Sequence, residues 1–385
     1  MRIIILGVPH VPTTDPIIFS RNDVFPFSEQ VWNLCKLFYQ RGHEVIHLGV
    51  PGSNPPCTEN IDVVPLKMWQ EYFGSLSVLR LYGIKPNQFP LYTQEFVNNV
   101  KRIIKEKALE PLSTIILANW GGDHEIACRD LNQFIVEPGI GYVGVWAPYR
   151  VYSSYAWMHL QLGRANLING DQWYHVVIPQ PIDTNLFGPI VPTLEKKNFL
   201  LYLGRMAEDK GVQLACQVAR ESNVPIVLAG RDNPQYCMHE HPGGITWINN
   251  PTVEKRRELL RYAKGMFACT RYVEPWGNTV LEAGASGCPV ITTDWGAFSE
   301  TVNHGKTGYR CRTFEQFVWA AKNIDKIEPQ DCYNWIKKRY TFDRVGLMYE
   351  EYFQSLLNLN SKVQKGKGWN SLNPNRKDLN WLKTD

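Results

Sequence analysis

Two glutamates eight positions apart, Glu274 and Glu282, flank a segment that is typical of a loop entering a helix. Carboxylates accept hydrogen bonds from hydroxyl groups, and the positive end of a helix N-terminus suits an anion. Two carboxylates with an anion site between them match the sugar, phosphate and ribose of a nucleotide sugar. The spacing alone is weak evidence, because 37 acidic residues produce such pairs by chance. The strand–loop–helix context and the Pro-Trp-Gly sequence between the glutamates strengthen it.

Glu274 follows a predicted strand, Met266–Thr270. It therefore lies at the carboxyl end of a sheet, where ligands bind in parallel α/β folds. Pro275 favours an extended entry to the loop, and Gly277 allows the backbone to approach a ligand closely. We expect this loop to contact a ligand.

The helix predicted over Asn278–Ser286 has two candidate capping residues, Asn278 and Thr279. Glu282 lies in the first turns of this helix. It can accept hydrogen bonds from ribose hydroxyls there.

Two cations, Arg205 and Lys210, lie in a loop after a predicted strand that ends at Gly204. An arginine can hold a diphosphate through two parallel hydrogen bonds, and a lysine acts as a point charge. Such groups stabilise the negative charge on a departing nucleoside diphosphate. The alternative is a solvated turn, in which the cations pair with the acidic residues Glu208 and Asp209.

Each half of the chain contains a run of alternating strands and helices, which predicts two parallel sheets wrapped by helices. The elements expected in the first half are strands Arg2–Gly7, His43–Gly49, Thr114–Asn119 and Gly141–Trp146, with helices Ser28–Arg41 and Thr93–Lys107. Those expected in the second half are strands Asn198–Leu203, Pro225–Ala229, Ile245–Ile248, Met266–Thr270 and Pro289–Thr293, with helices Gly211–Glu221, Val253–Lys264, Asn278–Ser286 and Asp343–Leu357.

We therefore predict an α/β fold with two Rossmann-like, doubly wound domains that face each other across a cleft. The first domain is expected over residues 1–185, with the returning segment 343–385, and the second over 186–342. The Pro-rich segment Pro179–Thr193 is the expected linker and hinge.

The composition argues against several classes of protein. With 41 Lys and Arg against 37 Asp and Glu, the net charge of +4 is too mild for a nucleic-acid-binding surface. No stretch of 18 apolar residues occurs, so we expect no integral membrane segment and a cytoplasmic protein, with peripheral membrane contact left open. The nine Cys lack a Cys-x-x-Cys pair and are interpreted as free or buried thiols in a reducing compartment. No metal-ligand spacing is found, and no metal site is expected.

The tail Ser361–Asp385 has no clear period and holds six Lys or Arg residues and two Trp. An extended arm packed on a neighbouring surface is the favoured interpretation. An arm directed to a partner or a membrane, and a disordered tail, are the alternatives.

An ordered set of motifs in the second half gives a specific resemblance. The motifs are Leu203-Gly204-Arg205, Lys210-Gly211, Ala229-Gly230, Glu274 to Glu282, Ser286-Gly287-Cys288-Pro289-Val290-Ile291 and Gly305-Lys306-Thr307-Gly308-Tyr309. Together they resemble the donor domain of retaining glycosyltransferases of family 4, also called glycosyl transferases group 1, which have the two-domain GT-B fold.

The first half resembles this family more loosely. The similar parts are Arg41-Gly42-His43-Glu44-Val45, the segment Val177-Ile178-Pro179, and Asp183 with Phe187. The stretch from Arg344 to Tyr352 is similar to the closing helix that returns to the first domain. The resemblance covers residues 1–358.

The resemblance implies a hexosyl- or pentosyltransferase with retention of configuration. Such an enzyme moves a sugar from a nucleotide-diphosphate-sugar donor, a UDP- or GDP-sugar first of all, to a hydroxyl of a glycan, glycolipid or glycoprotein. By position, Glu274 would contact hydroxyls of the transferred sugar and Glu282 the ribose, while Arg205 and Lys210 would hold the diphosphate. The other implied donor-binding residues are Gly204, Gly230, Trp276, Gly277, Asn278 and Thr279. The resemblance implies no metal, no other cofactor and no protein nucleophile.

Two departures from the family pattern concern the first domain. The region Pro9–Ser28 has no Gly, where the family has a Gly-Gly loop, and Ser28 is the candidate stand-in. The segment Gly144–Pro148 has no His, where the family often has one. His124, on a Gly-rich loop that opens a helix, is the nearest replacement and a candidate catalytic residue. The alternative for His124 is a helix-start side chain that faces solvent.

Two other functions stay open on the sequence alone. One is a GT-B enzyme of another class, such as a nucleotide-sugar epimerase or hydrolase, because a fold does not fix chemistry. The other is a non-catalytic nucleotide-sugar-binding protein, suggested by the two departures. Acceptor contacts are expected from Pro9–Phe27 and Asn54–Tyr92, which carry no motif that names the acceptor.

Overall fold

The structure is a computed structural model that describes residues 1–15, 26–74, 88–107, 113–167, 175–188, 195–241 and 243–359. The chain divides into two compact units. The first comprises the described residues of 1–152, 169–178 and 343–359, and the second those of 153–168 and 179–342. Residues 153–168 thus belong to the second unit, whereas the sequence-based division assigns them to the first domain.

The first unit is built on a parallel sheet. Its strands are β1 Arg2–Leu6, β2 Glu44–Gly49, β3 Glu59–Asp62, β4 Thr114–Ala118, β5 Phe134–Ile140, β6 Tyr149–Tyr152 and β7 Val176–Val177. They pair in the order β3-β2-β1-β4-β5-β6-β7. Helices within its described residues include α1 Pro26–Gln40, α2 Leu66–Phe73, α3 Pro90–Lys107 and α4 Gly121–Cys128. The run Ile3–Leu6 in β1 is fully buried, as expected of a strand covered on both faces.

The second unit is also built on a parallel sheet. Its strands are β8 Leu200–Leu203, β9 Ile226–Gly230, β10 Ile245–Asn249, β11 Gly265–Ala268, β12 Val290–Thr293 and β13 Gly308–Cys311. They pair in the order β10-β9-β8-β11-β12-β13. Its helices are α5 Tyr155–Arg164, α6 Thr184–Phe187, α7 Val212–Glu221, α8 Val253–Tyr262, α9 Asn278–Ala285, α10 Phe298–Thr301, α11 Phe314–Asn323 and α12 Pro329–Arg339. Short 3₁₀ helices span Glu208–Lys210, Pro234–Glu240 and Ile324–Lys326.

The prediction of two Rossmann-like sheets is confirmed, but one predicted strand is wrong. Residues 141–146 form a loop, and the strand is β5, which ends just before them. The carboxylate of Glu137 in β5 explains the loop. It accepts hydrogen bonds from the Tyr142 hydroxyl at 2.6 Å and from the backbone N–H groups of Trp146 at 3.0 Å and Ala147 at 3.2 Å. Backbone donors bound to a side chain are lost to a strand ladder.

The last helix, α13 Phe342–Leu359, joins the first unit from its second residue onward. Phe38 of α1 packs against Tyr349 and Phe353 of α13, with ring centroids 5.6 and 5.5 Å apart. Just beyond α1, Arg41 donates two hydrogen bonds of 2.7 Å to the Glu350 carboxylate. The predicted return of the closing helix to the first domain is therefore confirmed.

Several sequence predictions fall wholly or partly outside the described residues. These are the tail Ser361–Asp385, the end of the expected linker, and parts of the two acceptor-side loops. Of the described helices, none has the length and apolar character needed to cross a membrane. All nine cysteines are free thiols, and eight of them are buried, as the sequence predicts.

The Glu350 cluster generates a pH-dependent prediction. Partial burial opposes the charged form, but hydrogen bonds from His43 and Arg41 outweigh it and lower the pKa of Glu350 to about 2. The stabilisation is therefore present above the unfolded pKa of about 4.3 and is lost as the pH falls towards 2. We expect Glu350→Gln to lower the free energy of opening of α13 at pH 7 by about 1–2 kcal/mol. Hydrogen exchange of the α13 amides measures this difference.

The matched control is Glu44→Gln, which removes the more exposed Arg2–Glu44 pair of the same unit. Exposed pairs contribute about 0–1 kcal/mol, so this variant is expected to resemble the wild type. A Glu350→Gln effect that stays constant from pH 7 to pH 2.5 would contradict the assignment.

Candidate functional site

The strand order of the second unit creates a crevice between two loops. β8 and β11 are neighbours; the chain proceeds from β8 outward to β9 and β10, and from β11 outward to β12 and β13. Loops after neighbouring strands diverge at such a switch point, where open α/β sheets bind their ligands. The β8 loop carries Arg205 and Lys210, and the β11 loop carries Glu274. The fold thus brings residues from two distant segments to one edge.

Lys210 and Glu274 form a direct ion pair in this crevice. The Lys210 Nζ lies 2.7 Å from Glu274 Oε2, and the Thr270 hydroxyl donates to the same oxygen at 3.1 Å. The Tyr272 ring lies 4.7 Å from the Lys210 Nζ. Burial opposes the charge of Lys210, but the Glu274 carboxylate outweighs burial, so the pKa of Lys210 is raised. The crevice therefore holds a permanent cation beside a carboxylate that is only 9% exposed.

The two loops are held against each other by backbone contacts. Gly211 follows Lys210 with φ +73°, and a side chain there would collide with the carbonyl of Cys269. The backbone N–H of Arg271 donates to the carbonyl of Asp209 at 2.8 Å. Only glycine fits position 211 without strain, which fixes where Lys210 points relative to the β11 loop.

The helix α9 starts at the same edge, behind Gly277. Gly277 is the N-cap residue with φ +87°, and no side chain caps the helix. The expectation that Asn278 or Thr279 caps it is therefore wrong. Asn278 is exposed and Thr279 half-buried. An uncapped helix N-terminus offers backbone donors and a positive potential to an anion.

Glu282 lies on α9 and is 7% exposed. Its Oε1 lies 3.5 Å from an Nη of Arg256 on α8. The sequence did not single out Arg256, since a lone arginine on a charged amphipathic helix carries no motif. The second carboxylate of the pair therefore also has a cationic neighbour.

Two other predicted residues, Arg205 and Trp276, do not join the Lys210–Glu274 ion pair. Arg205 is half exposed and lies 3.9 Å from Asp209, as in the solvated-turn alternative. Trp276 is buried and packs edge-to-face on Tyr340 at 5.4 Å. Its ring belongs to the core of the second unit, which leaves its backbone for any ligand contact.

Gly204 and Gly230 end β8 and β9 in close contact. The Gly204 N–H donates to the Ala229 carbonyl at 3.0 Å. Gly230 has φ +155°, and a side chain there would collide with the carbonyl oxygen of Gly204. Gly230 thus has a steric reason to be glycine, whereas a side chain at Gly204 would make only ordinary contacts with Tyr202, the nearest at 3.5 Å.

His124 lies in the first unit and is fully buried. Its Nδ1 accepts a hydrogen bond from the Trp120 N–H at 2.9 Å, and its Nε2 lies 3.0 Å from the Gly7 carbonyl, to which it donates. Burial lowers its pKa to about 3, so the ring is neutral. The alternative of a solvent-facing side chain is wrong. With both nitrogens bonded internally, His124 fastens α4 to the end of β1.

Ser28, the candidate stand-in for the Gly-Gly loop, is buried in α1, which begins two residues earlier than predicted. Its hydroxyl donates to the Pro12 carbonyl at 2.6 Å. Residues 16–25 of this region lie outside the described part of the chain.

Residues 189–340, which contain the whole crevice, match the family model described as glycosyl transferases group 1. This segment of the second unit is therefore similar to the group 1 glycosyltransferases. The end of β8 with its following loop, the loop after β11 and α9 contain three of the motifs on which the resemblance rests, Leu203-Gly204-Arg205, Lys210-Gly211 and Glu274 to Glu282.

Curated relatives match parts of the chain. A probable sucrose-phosphate synthase of Thermosipho melanesiensis is 36% identical over 89 residues, which cover 22% of this chain and 21% of that protein. N-acetyl-alpha-D-glucosaminyl L-malate synthase of Bacillus anthracis is 23% identical over 185 residues, or 42% and 47% of the two chains. The matches thus span less than half the length of these relatives.

Solved structures extend the likeness to both units. AviGT4, a glycosyltransferase involved in avilamycin A biosynthesis, aligns with a TM-score of 0.64 and 20% identity over 92% of this chain and 98% of that chain. Sucrose-phosphate synthase from Thermosynechococcus elongatus gives 0.66 and 16% over the same shares. HepE from Anabaena, in complex with UDP and glucose, gives 0.62 and 13% over 92% and 100%. At these identities the likeness shows the fold, which is GT-B.

The contact between Gly204 and Gly230 generates a stability prediction. We expect Gly230→Ala to destabilise the second unit by about 2–4 kcal/mol, because the new side chain has no room and the φ angle is strained. Urea unfolding measures this loss. The control is Gly163→Ala in α5, where nothing lies within 4 Å of the new atom. A helical Gly→Ala change there should stabilise by about 0.5–1 kcal/mol. Equal stability of the two variants would contradict the steric argument.

Proposed function

We propose that the protein is a retaining, metal-independent glycosyltransferase of family 4. It transfers a sugar from a nucleotide-diphosphate-sugar donor to a hydroxyl group of a carbohydrate-bearing acceptor. The Lys210–Glu274 pair at the switch point, next to the uncapped N-terminus of α9, is the observation that carries the proposal. The group 1 family match over the same residues supports it.

The donor is proposed to lie along the crevice in three parts. The diphosphate binds at the N-terminus of α9, with Lys210 as its nearest cation and Arg205 at the exposed side. Glu274 accepts hydrogen bonds from hydroxyls of the transferred sugar, and Glu282 from those of the ribose. Arg256, 3.5 Å from Glu282, helps to fix this carboxylate in place for the contact.

The positive charge at this edge supports chemistry without a metal. When the bond to the sugar breaks, negative charge grows on the leaving diphosphate. A lysine with a raised pKa and a helix N-terminus stabilise that charge. Retention then follows from front-side attack through a short-lived oxocarbenium-like state, in which Glu274 holds the sugar and makes no covalent bond.

A UDP-sugar is the proposed donor. Structures of HepE, which shares this fold, are described as complexes with UDP and with UDP-glucose. For the acceptor we propose only a class, a glycan, glycolipid or glycoprotein, because the acceptor-side loops carry no motif that names it.

Variants of the two glutamates test the donor site. We expect Glu274→Gln to lower turnover about 100-fold, because a transition-state contact to the sugar is lost. Glu282→Gln should weaken UDP binding about tenfold through the lost ribose contact. UDP release from UDP-sugars and calorimetric titration with UDP measure these effects. The control is Glu258→Gln on α8, an exposed carboxylate paired with Lys255. Wild-type behaviour of both crevice variants would refute the site.

A thermal-shift series with UDP, GDP and ADP tests the nucleotide and the metal independence. A ligand at 100 times its Kd stabilises by about 2.7 kcal/mol, so the preferred nucleotide gives the largest shift. We expect UDP to lead, with the same shift in EDTA. A shift that appears only with a divalent cation would contradict metal independence. A freed or altered sugar without any acceptor would favour a hydrolase or an epimerase.

A further inference from the structure

One oxygen of the Glu274 carboxylate receives two hydrogen bonds. Lys210 Nζ and Thr270 Oγ1 both bond to Oε2, at 2.7 and 3.1 Å, and neither bonds to Oε1. Two donors on one oxygen fix the rotation of a carboxylate, which a single donor leaves free. Thr270 is 3% exposed and carries no charge, and no sequence motif singles it out.

Thr270 is itself held by the last residue of β12 and by the loop that follows it. Its carbonyl accepts hydrogen bonds from the Thr293 hydroxyl at 3.0 Å and from the Trp295 indole N–H at 3.2 Å. The carbonyl of Glu274 accepts from the Ala297 N–H at 2.9 Å. Both ends of the segment 270–274 are thus hydrogen-bonded to the end of β12 and the loop that follows it. The Thr270–Glu274 bond therefore joins two fixed points.

The two hydrogen-bond donors to Oε2 respond differently when a nucleotide sugar binds. Lys210 is a cation, and an arriving diphosphate competes with Glu274 for its charge. The Thr270 hydroxyl is neutral and largely inaccessible to a phosphate. As the Lys210–Glu274 bond weakens, Thr270 remains to hold the carboxylate.

We infer that Thr270 is a positioning residue for Glu274. It keeps Oε2 in place while Lys210 turns to the diphosphate, so that Oε1 stays directed to the sugar hydroxyls. This inference rests on the proposed function. It adds that the Thr270 hydroxyl is needed for binding of the nucleotide sugar and not for binding of the nucleotide alone.

The test compares Thr270→Val with Thr270→Ser. Valine keeps the shape of threonine without the hydroxyl, and serine keeps the hydroxyl. The control is Thr292→Val on β12, since Thr292 is fully buried and its hydroxyl has no hydrogen-bond partner among the described residues. Calorimetric titration with UDP and with UDP-glucose gives two affinities for each variant. Thermal unfolding of each variant establishes that it is folded.

We expect Thr270→Val to weaken UDP-glucose binding about tenfold, the loss of one hydrogen bond to a charged group. Its affinity for UDP should stay within about twofold of the wild-type affinity. A twofold change is smaller than the change in affinity expected when one hydrogen bond to a charged group is lost. Thr270→Ser and Thr292→Val should both resemble the wild type. This separation of the two affinities is a result that a merely structural role for Thr270 does not produce.

Three outcomes would overturn the inference, and they are distinguishable. If the wild type binds neither UDP nor UDP-glucose, nor GDP and its sugars, the proposed function is wrong and the inference falls with it. If Glu274→Gln weakens UDP-glucose binding and Thr270→Val does not, the inference alone is wrong. If Thr270→Val weakens UDP and UDP-glucose equally, Thr270 supports the loop in general and does not position Glu274.

Discussion

The geometry of the second unit depends on how closely the chain after β8 approaches the chain after β11. Gly211 leaves no space for a side chain against the Cys269 carbonyl, and a backbone hydrogen bond of 2.8 Å joins Arg271 to Asp209. This contact brings an ammonium group and a carboxylate within 2.7 Å at the carboxyl edge of the sheet. An ion pair with little solvent around it interacts more strongly than one on the surface, so the charge arrangement follows from the backbone packing.

Most of the fold could be predicted from the sequence, because periodicity and glycine positions report on local structure. The expected helix Gly211–Glu221 corresponds to α7 within one residue, and the expected strand Pro289–Thr293 to β12. The wrong strand at 141–146 has a non-local cause. The buried carboxylate of Glu137 accepts hydrogen bonds from the backbone N–H of Trp146, in that segment, and of Ala147, directly after it. Nothing in the local pattern of apolar residues reveals these bonds.

The candidate site was partly predictable for the same reason. Ordered motifs pointed to Lys210 and Glu274, and the sheet topology brings them together. The sequence could not reveal that Trp276 packs into the core, because an aromatic residue in a loop has the same pattern whether buried or exposed. Nor could it reveal His124 as a buried hydrogen-bonded side chain, since its partner Gly7 is 117 positions away. Arg256 and Thr270 were missed because their roles depend on neighbours in three dimensions.

The steric lock at Gly211 has a consequence for the evolution and engineering of this domain. The segments 204–211 and 269–277 touch through backbone atoms, so neither can change length or path by itself. A change of donor preference by exchange of loops with a relative must therefore move both segments as a pair.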